Sequence, residues 1–119
     1  IMGLTLTKSQ QEEPKGVMNV VARSGLRAFW TNPLYKDSEQ PLKAWYAEAR
    51  KANWTCPQDI KDQYGNASII GNNRVVFNVK GNDYRLIAAV AYEYGALYVK
   101  FIGTHKQYDK VDAATVTME

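Results

Sequence analysis

Three side chains near the carboxyl end of the sequence could transfer protons or contact a nucleic-acid base. His105, Tyr108 and Asp109 lie in a short polar segment that begins at Gly103. A histidine titrates near neutral pH, so His105 could act as a general acid or base. Tyr108 could stack on a base or donate a hydrogen bond, and Asp109 could orient either side chain. A single histidine in a polar loop also occurs on many surfaces without a function, and the sequence leaves both interpretations open.

A second group of residues could stabilise negative charge. The chain carries 15 Lys and Arg against 12 Asp and Glu, a net charge of +3. The excess is concentrated in residues 74–110, where the basic residues are Arg74, Lys80, Arg85, Lys100, Lys106 and Lys110. Such a bias is typical of a surface that binds an anion, although a solvated sheet edge would also carry it.

The first half of the sequence predicts a short strand followed by helices. Residues 17–22 form a β-leaning apolar run, and Ser24 could cap a helix that ends at Asn32. After Ser38, which together with Asp37 is a candidate cap, apolar residues recur at helical spacing and predict a second helix. Residues 57–64 could add one more short helical segment.

Alternating apolar residues predict an antiparallel sheet in the second half. Strands are predicted over residues 74–80, 84–92 and 96–102, with two-residue turns at Gly81-Asn82 and Tyr94-Gly95. Helices followed by an antiparallel meander make this an α+β domain.

These two turns determine which strand residues share a face of the sheet. They place Asn78 opposite Arg85 and Ala89 opposite Lys100, and side chains alternate along each strand. One face is then apolar, and the other collects all the basic residues of the strands, namely Arg74, Lys80, Arg85 and Lys100. That face could bind a phosphodiester, although one face of an antiparallel sheet is often polar simply because it is wet.

The length and composition limit the class of protein. A chain of 119 residues fits one domain. Residues 1–16 have few large apolar side chains, and residues 10–16 are polar. We predict that residues 1–16 are an extension, either a native leader or the remnant of a tag, before a single domain over residues 17–119. With one cysteine and one histidine, the chain cannot form a disulfide framework or a multi-histidine metal site.

Other patterns exclude further classes. The sequence lacks the carboxylate cluster of a two-metal nuclease and any phosphate-binding glycine motif, so we expect neither metal nor cofactor. No apolar run approaches the roughly 18 residues of a membrane helix, and no signal peptide is evident. We therefore expect a cytoplasmic protein without a membrane partner.

RNA can be cleaved without a metal when three requirements are met. The 2′-hydroxyl must be aligned with the leaving oxygen, protons must be transferred, and the developing negative charge must be stabilised. Arg85, Lys80 and Lys100 could stabilise the charge. His105 and Tyr108 could supply proton transfer or stacking.

Four blocks of the sequence resemble the HigB family of type II toxin–antitoxin toxins, within the RelE-like mRNA interferases. The blocks cover residues 21–30, 41–45 and 73–86, and the motif Phe101-Ile102-Gly103-Thr104-His105 with Tyr108-Asp109. The third and fourth blocks are the most specific, and the resemblance extends over about residues 18–116.

The resemblance implies a RelE-like fold, with an N-terminal strand and helices packed on an antiparallel meander. It implies ribosome-dependent, metal-independent cleavage of mRNA that inhibits translation and growth, and neutralisation by a helix-turn-helix antitoxin of the HigA type. The family motifs assign catalysis to Lys80, Arg85, His105 and Tyr108. Lys100 is added by the strand register, and Arg74 and Lys106 are further candidate RNA-binding residues.

Two other interpretations remain open at this stage. A relative of RelE and ParE toxins could bind a protein target or RNA without catalysis, in which case substitution of His105 would change nothing. A small structural domain could carry a basic face only for solubility, and it would show no salt-sensitive binding to RNA or ribosomes.

Overall fold

A computed structural model describes residues 18–21 and 23–118, and the predicted extension over residues 1–16 lies outside them. The strands are β1 (Asn19–Val21), β2 (Ser68–Ile70), β3 (Arg74–Val79), β4 (Tyr84–Ala91) and β5 (Ala96–Thr104). The helices are α1 (Arg23–Trp30), α2 (Glu39–Lys51), α3 (Pro57–Gln63) and α4 (His105–Tyr108), with 3₁₀ helices at Pro33–Ser38 and Tyr92–Tyr94. The predicted α+β class is confirmed. None of the helices described is long and apolar enough to cross a membrane.

The five strands form one sheet in the order β1-β5-β4-β3-β2. Only β1 runs parallel to its neighbour β5, and the other pairs are antiparallel. The sequence did not predict β2, because three residues are too short for an alternating pattern and pairing with the edge of β3 determines their conformation. The structure also begins α1 at Arg23, so Ser24 lies inside the helix and the predicted cap is wrong.

The helices cover the apolar face of the sheet, as the alternation predicts. Phe77 of β3 lies at the centre, with its ring centroid 5.3 Å from that of Trp45 on α2 and 6.1 Å from that of Trp54. Leu86 and Leu97 of the neighbouring strands are completely buried in the same cluster. Each fully buried side chain of this size stabilises the fold by about 1.5–3 kcal/mol. This core fixes the sheet that carries the candidate site.

The first hairpin keeps the predicted register, whereas the second does not. Asn78 lies opposite Arg85 as predicted, although the connection runs from Lys80 to Asp83 and is two residues longer. In the second hairpin the 3₁₀ helix lengthens the connection by the same amount, and Ala89 lies opposite Tyr98 instead of Lys100. Adding two residues to a connection preserves the side-chain alternation, so the faces near both turns remain as predicted.

A β-bulge changes the faces further along β5. Ala88 lies opposite Val99, while Ile87 lies opposite Phe101, so Lys100 is the extra residue. Beyond the bulge the alternation is reversed, because two residues of β5 oppose one of β4. Ile102, expected on the polar face, packs against the core. Phe101, expected in the core, lies on the opposite face.

The second face of the sheet is less open than predicted. Val76 and Ile87 on this face are buried. Arg74, at the start of β3, donates hydrogen bonds from Nη1 to the carbonyl oxygens of Ala113 and Val116. The segment after α4 therefore lies against the start of β3, and the predicted continuous basic face is wrong. Apolar side chains on both faces of the middle strands require cover on both sides.

Candidate functional site

A one-turn helix, α4, positions His105 and Tyr108 where the sequence predicted a loop. Its capping box joins Thr104 and Gln107: the amide of Gln107 donates to Thr104 Oγ1 at 3.1 Å, and Gln107 Oε1 accepts from the amide of Thr104 at 2.8 Å. The amide of His105 also donates to the carbonyl oxygen of Asp83 at 3.2 Å. These bonds tie α4 to the β3–β4 connection, and the Thr-x-x-Gln spacing could have revealed the helix from sequence.

A second tie joins α4 to the 3₁₀ helix before α2. Gln107 Nε2 donates to the hydroxyl of Tyr35 at 3.1 Å. The ring of Tyr35 stacks on Phe29 with a centroid distance of 4.4 Å, and both rings meet the edge or face of Tyr84. Sequence reasoning did not identify Tyr35 or Gln107. Through its bond to Gln107, Tyr35 supports α4 although it lies about 70 residues earlier in the sequence.

Arg85 and Tyr108 lie side by side at this end of the sheet. Arg85 Cζ is 5.8 Å from the centroid of the Tyr108 ring, within the range of a cation–π contact. Arg85 Nη1 donates to the carbonyl oxygen of Asn82 at 3.0 Å. Because a guanidinium has five N–H donors, this orientation leaves further donors for an anion. The arrangement suits a phosphate that approaches the half-buried Arg85 beside an aromatic ring.

His105 lies exposed at the edge of a shallow depression of about 500 Å³. The depression is lined by Asn82, Asp83, Tyr84, Thr104, His105 and Lys106. His105 Nε2 is 3.8 Å from Asp109 Oδ1 one helical turn later, so the carboxylate is close enough to orient the ring. The imidazole can therefore reach a ligand in the depression and exchange a proton with it.

Comparison with models of protein families identifies the family of this chain. The model of the HigB toxins, described as the RelE-like toxic component of a toxin–antitoxin system, matches residues 38–111, which is more than half of the chain. The chain belongs to the HigB toxin family. It is therefore the toxin of a toxin–antitoxin system, and an antitoxin is its partner. The resemblance stated from the sequence is confirmed, although the block at residues 21–30 precedes the matched region. The comparison with curated proteins gave no match.

In this toxin Lys80 does not lie beside Arg85. The strand ends at Val79, and Lys80 adopts a positive φ of 53° in the connection. Its ammonium lies 3.0 Å from Asp83 Oδ2 and 3.4 Å from Asp37 Oδ2, and both carboxylates raise the pKa of Lys80. These two carboxylates compete with a phosphate for the Lys80 ammonium. The predicted cluster of Lys80, Arg85 and Lys100 on one face is wrong.

Asp37 instead links Lys80 to Tyr84, which lines the depression. The hydroxyl of Tyr84 donates to Asp37, the carboxylate that also contacts Lys80. Burial, followed by the bond to Asp37, raises the pKa of Tyr84 to about 12. The Tyr84 hydroxyl lowers the pKa of Asp37. Tyr84 and Arg85 are consecutive in β4, so they project from opposite faces of the sheet.

The other predicted RNA-binding residues lie at different distances from this site. Lys106 is exposed on α4 and lines the same depression as His105. Lys100 lies at the bulge, with Nζ 5.9 Å from the centroid of the Tyr98 ring, and is roughly 10 Å along β5 from Gly103. The Arg74 guanidinium is buried and bonded to the C-terminal segment. The structure thus pairs Arg85 with Tyr108, and it places His105 and Lys106 on the same one-turn helix as Tyr108, where they line the depression.

Gly103 is required because α4 approaches β5 closely. A Cβ atom at this position would lie 2.6 Å from Phe101 Cζ and 2.7 Å from Gln107 Oε1. We expect Gly103→Ala to displace the capping side chain and lower the free energy of unfolding by about 1–3 kcal/mol. Thermal unfolding checks this, with Gly65→Ala as the control, since no atom lies within 4 Å of a Cβ there. Equal melting temperatures for the two variants would contradict the expected strain.

Proposed function

We propose that this toxin is an endoribonuclease that cleaves messenger RNA on the ribosome without a metal ion, and so inhibits translation and growth. The observation that carries the proposal is the contact of Arg85 with Tyr108, which lies on the same one-turn helix as an exposed His105. A cation, an aromatic ring and a titratable imidazole meet the charge, stacking and proton requirements of RNA cleavage.

In the proposed reaction the 2′-oxygen of one nucleotide attacks the adjacent phosphorus. The new bond from the 2′-oxygen forms as the bond to the 5′-oxygen breaks, which leaves a 2′,3′-cyclic phosphate and a 5′-hydroxyl. A proton leaves the 2′-hydroxyl and another is added to the 5′-oxygen, and His105 carries one of these transfers. Arg85 stabilises the added charge on the phosphate oxygens, and Tyr108 stacks on a neighbouring base.

The remaining residues have supporting parts in this proposal. Lys106, in the same depression as His105, binds a phosphate next to the scissile one, and Lys100 binds one further along β5. Lys80 holds Asp37 and Asp83 together at the β3–β4 connection. We further propose that the antitoxin is a HigA-type helix-turn-helix protein and that the toxin acts in the cytoplasm, where ribosomes and messenger RNA are available.

Inducible expression followed by primer extension on a reporter messenger tests the proposal. We expect discrete new 5′ ends that disappear when translation is blocked and when the antitoxin is expressed together with the toxin. Absence of cleavage from the folded protein would contradict the nuclease. Growth arrest without cleavage would instead indicate a non-catalytic binder of a protein target.

A further inference from the structure

A second pocket lies outside the site described above, where α1, the 3₁₀ helix Pro33–Ser38 and α2 meet. It has a volume of about 570 Å³, and its basic residues are Arg27, Lys36 and Lys43. Among the lining residues that the structure describes, Glu39 is the one acidic residue, so this part of the pocket carries an excess of positive charge. Nothing in the proposed cleavage step uses this pocket.

The charges of this pocket are not all neutralised within the protein. Lys43 Nζ lies 2.6 Å from Glu39 Oε2 and 5.5 Å from the centroid of the Trp30 ring, so this pair satisfies itself. Arg27 and Lys36 are exposed and make no ion pair or side-chain hydrogen bond with any residue that the structure describes. Two cations that have no such partner among the described residues and line one concave pocket attract an anion, because the walls exclude part of the screening water.

The 3₁₀ helix Pro33–Ser38 connects the pocket to the candidate site through two hydrogen bonds. Lys36 stands between Tyr35, whose hydroxyl accepts from Gln107, and Asp37, which accepts from Tyr84. Gln107 caps the helix that carries His105. A single strand of RNA carries one phosphate per nucleotide, so a strand held at His105 has further phosphates on both sides that other cations of the same surface can bind.

The lining also favours a phosphate backbone over a protein segment. Trp30 is the large aromatic residue of the pocket and is only 5% exposed, so its ring offers little surface to a protein side chain. Protein partners usually anchor on exposed aromatic and apolar groups. An RNA backbone needs only the cations.

We propose that Arg27 and Lys36 bind backbone phosphates of the same messenger strand that is cleaved at Arg85 and His105, on nucleotides that do not react. This inference rests on the proposed nuclease function. The pocket increases affinity for the strand and determines its path into the site, and it takes no part in the chemical step.

The test compares two variants that remove the same amount of charge. Arg27→Gln/Lys36→Gln removes the two free cations, and Arg50→Gln/Lys51→Gln removes one arginine and one lysine at the other end of α2. Single-turnover cleavage of a short messenger on purified ribosomes is measured against toxin concentration and salt.

We expect the pocket variant to need about 10-fold more toxin for half-maximal rate. The slope of its log affinity against log salt should be shallower by about 0.7 for each phosphate that it no longer binds. The saturated rate stays at that of the wild type, and the control variant behaves as the wild type does.

Other outcomes distinguish a failure of the pocket assignment from a failure of the proposed nuclease function. If the wild type cleaves and both variants match it, the pocket assignment is overturned and the nuclease stands. If the folded wild type does not cleave, the proposed function fails, and the inference fails with it. If the pocket variant binds ribosomes without messenger as weakly as it binds ribosomes with messenger, the pocket contacts ribosomal RNA, and the messenger assignment is overturned. Weaker antitoxin binding with normal cleavage would overturn it in favour of a protein ligand. Lys36→Gln alone, at an exposed side chain, repeats the test if the double variant does not fold.

Discussion

Replacing Arg85 with alanine is expected to lower the rate of messenger cleavage by about 100- to 1000-fold, the usual cost of removing one group that stabilises transition-state charge. Arg85 Cζ lies 5.8 Å from the centroid of the Tyr108 ring, and the guanidinium has donors available for a phosphate. Expression of Arg85→Ala without antitoxin should therefore not arrest growth. Single-turnover cleavage on ribosomes gives the rate directly.

Two controls separate the loss of the Arg85 donors from a loss of charge and from unfolding. Arg85→Lys retains the charge but loses the planar pair of donors, so we expect a rate between those of the wild type and the alanine variant. Arg85 is half-buried and donates hydrogen bonds to carbonyl oxygens of the adjacent turn, so thermal unfolding should change little. Persistent toxicity of a folded Arg85→Ala protein would remove Arg85 from the mechanism.

Replacing His105 with alanine is expected to lower the saturated cleavage rate by about 100- to 10,000-fold, the range for removal of a general acid or base. The imidazole is exposed at the depression and has Asp109 beside it. Alanine is the best helix former, so α4 and its capping box should remain. The measurement is single-turnover cleavage at saturating toxin over a range of pH, where the limb that depends on His105 should disappear.

The neighbouring lysine provides the matched control for His105. Lys106→Ala changes the next residue of the same helix and removes a positive charge from the same depression. We expect it to raise the toxin concentration needed for half-maximal rate and to leave the pH profile unchanged, because it binds phosphate and transfers no proton. A His105→Ala protein that cleaves at the wild-type rate would support a non-catalytic role for the imidazole.

Much of the fold could be predicted because the pattern of apolar residues has a clear period. Alternation in β3 and β4 determined the apolar face that packs on α2, and it correctly paired Asn78 with Arg85. The polar segment after the last strand was also identified as the place of His105 and Tyr108. Its helical form was missed, although Thr104 and Gln107 have the spacing of a capping box.

Errors in the predicted site came from features that a local pattern does not contain. The bulge at Lys100 depends on how β5 fits against β4, and it reverses the faces beyond it. The ion pairs of Lys80 depend on Asp37, which lies more than 40 residues earlier. Arg74 is occupied by carbonyl oxygens of a segment about 40 residues later.

The sequence by itself determined the α+β class, the buried face of the sheet, the excess of positive charge and the presence of one titratable imidazole, because period, composition and residue type are local properties of the chain. Only the tertiary structure decided which cations have partners among the residues that it describes. It neutralises Lys80, buries Arg74, places Arg85 against Tyr108 and leaves Arg27 and Lys36 in an open pocket. The physical reason is that the strength of a charge depends on which distant carboxylates, carbonyl groups and rings fold next to it.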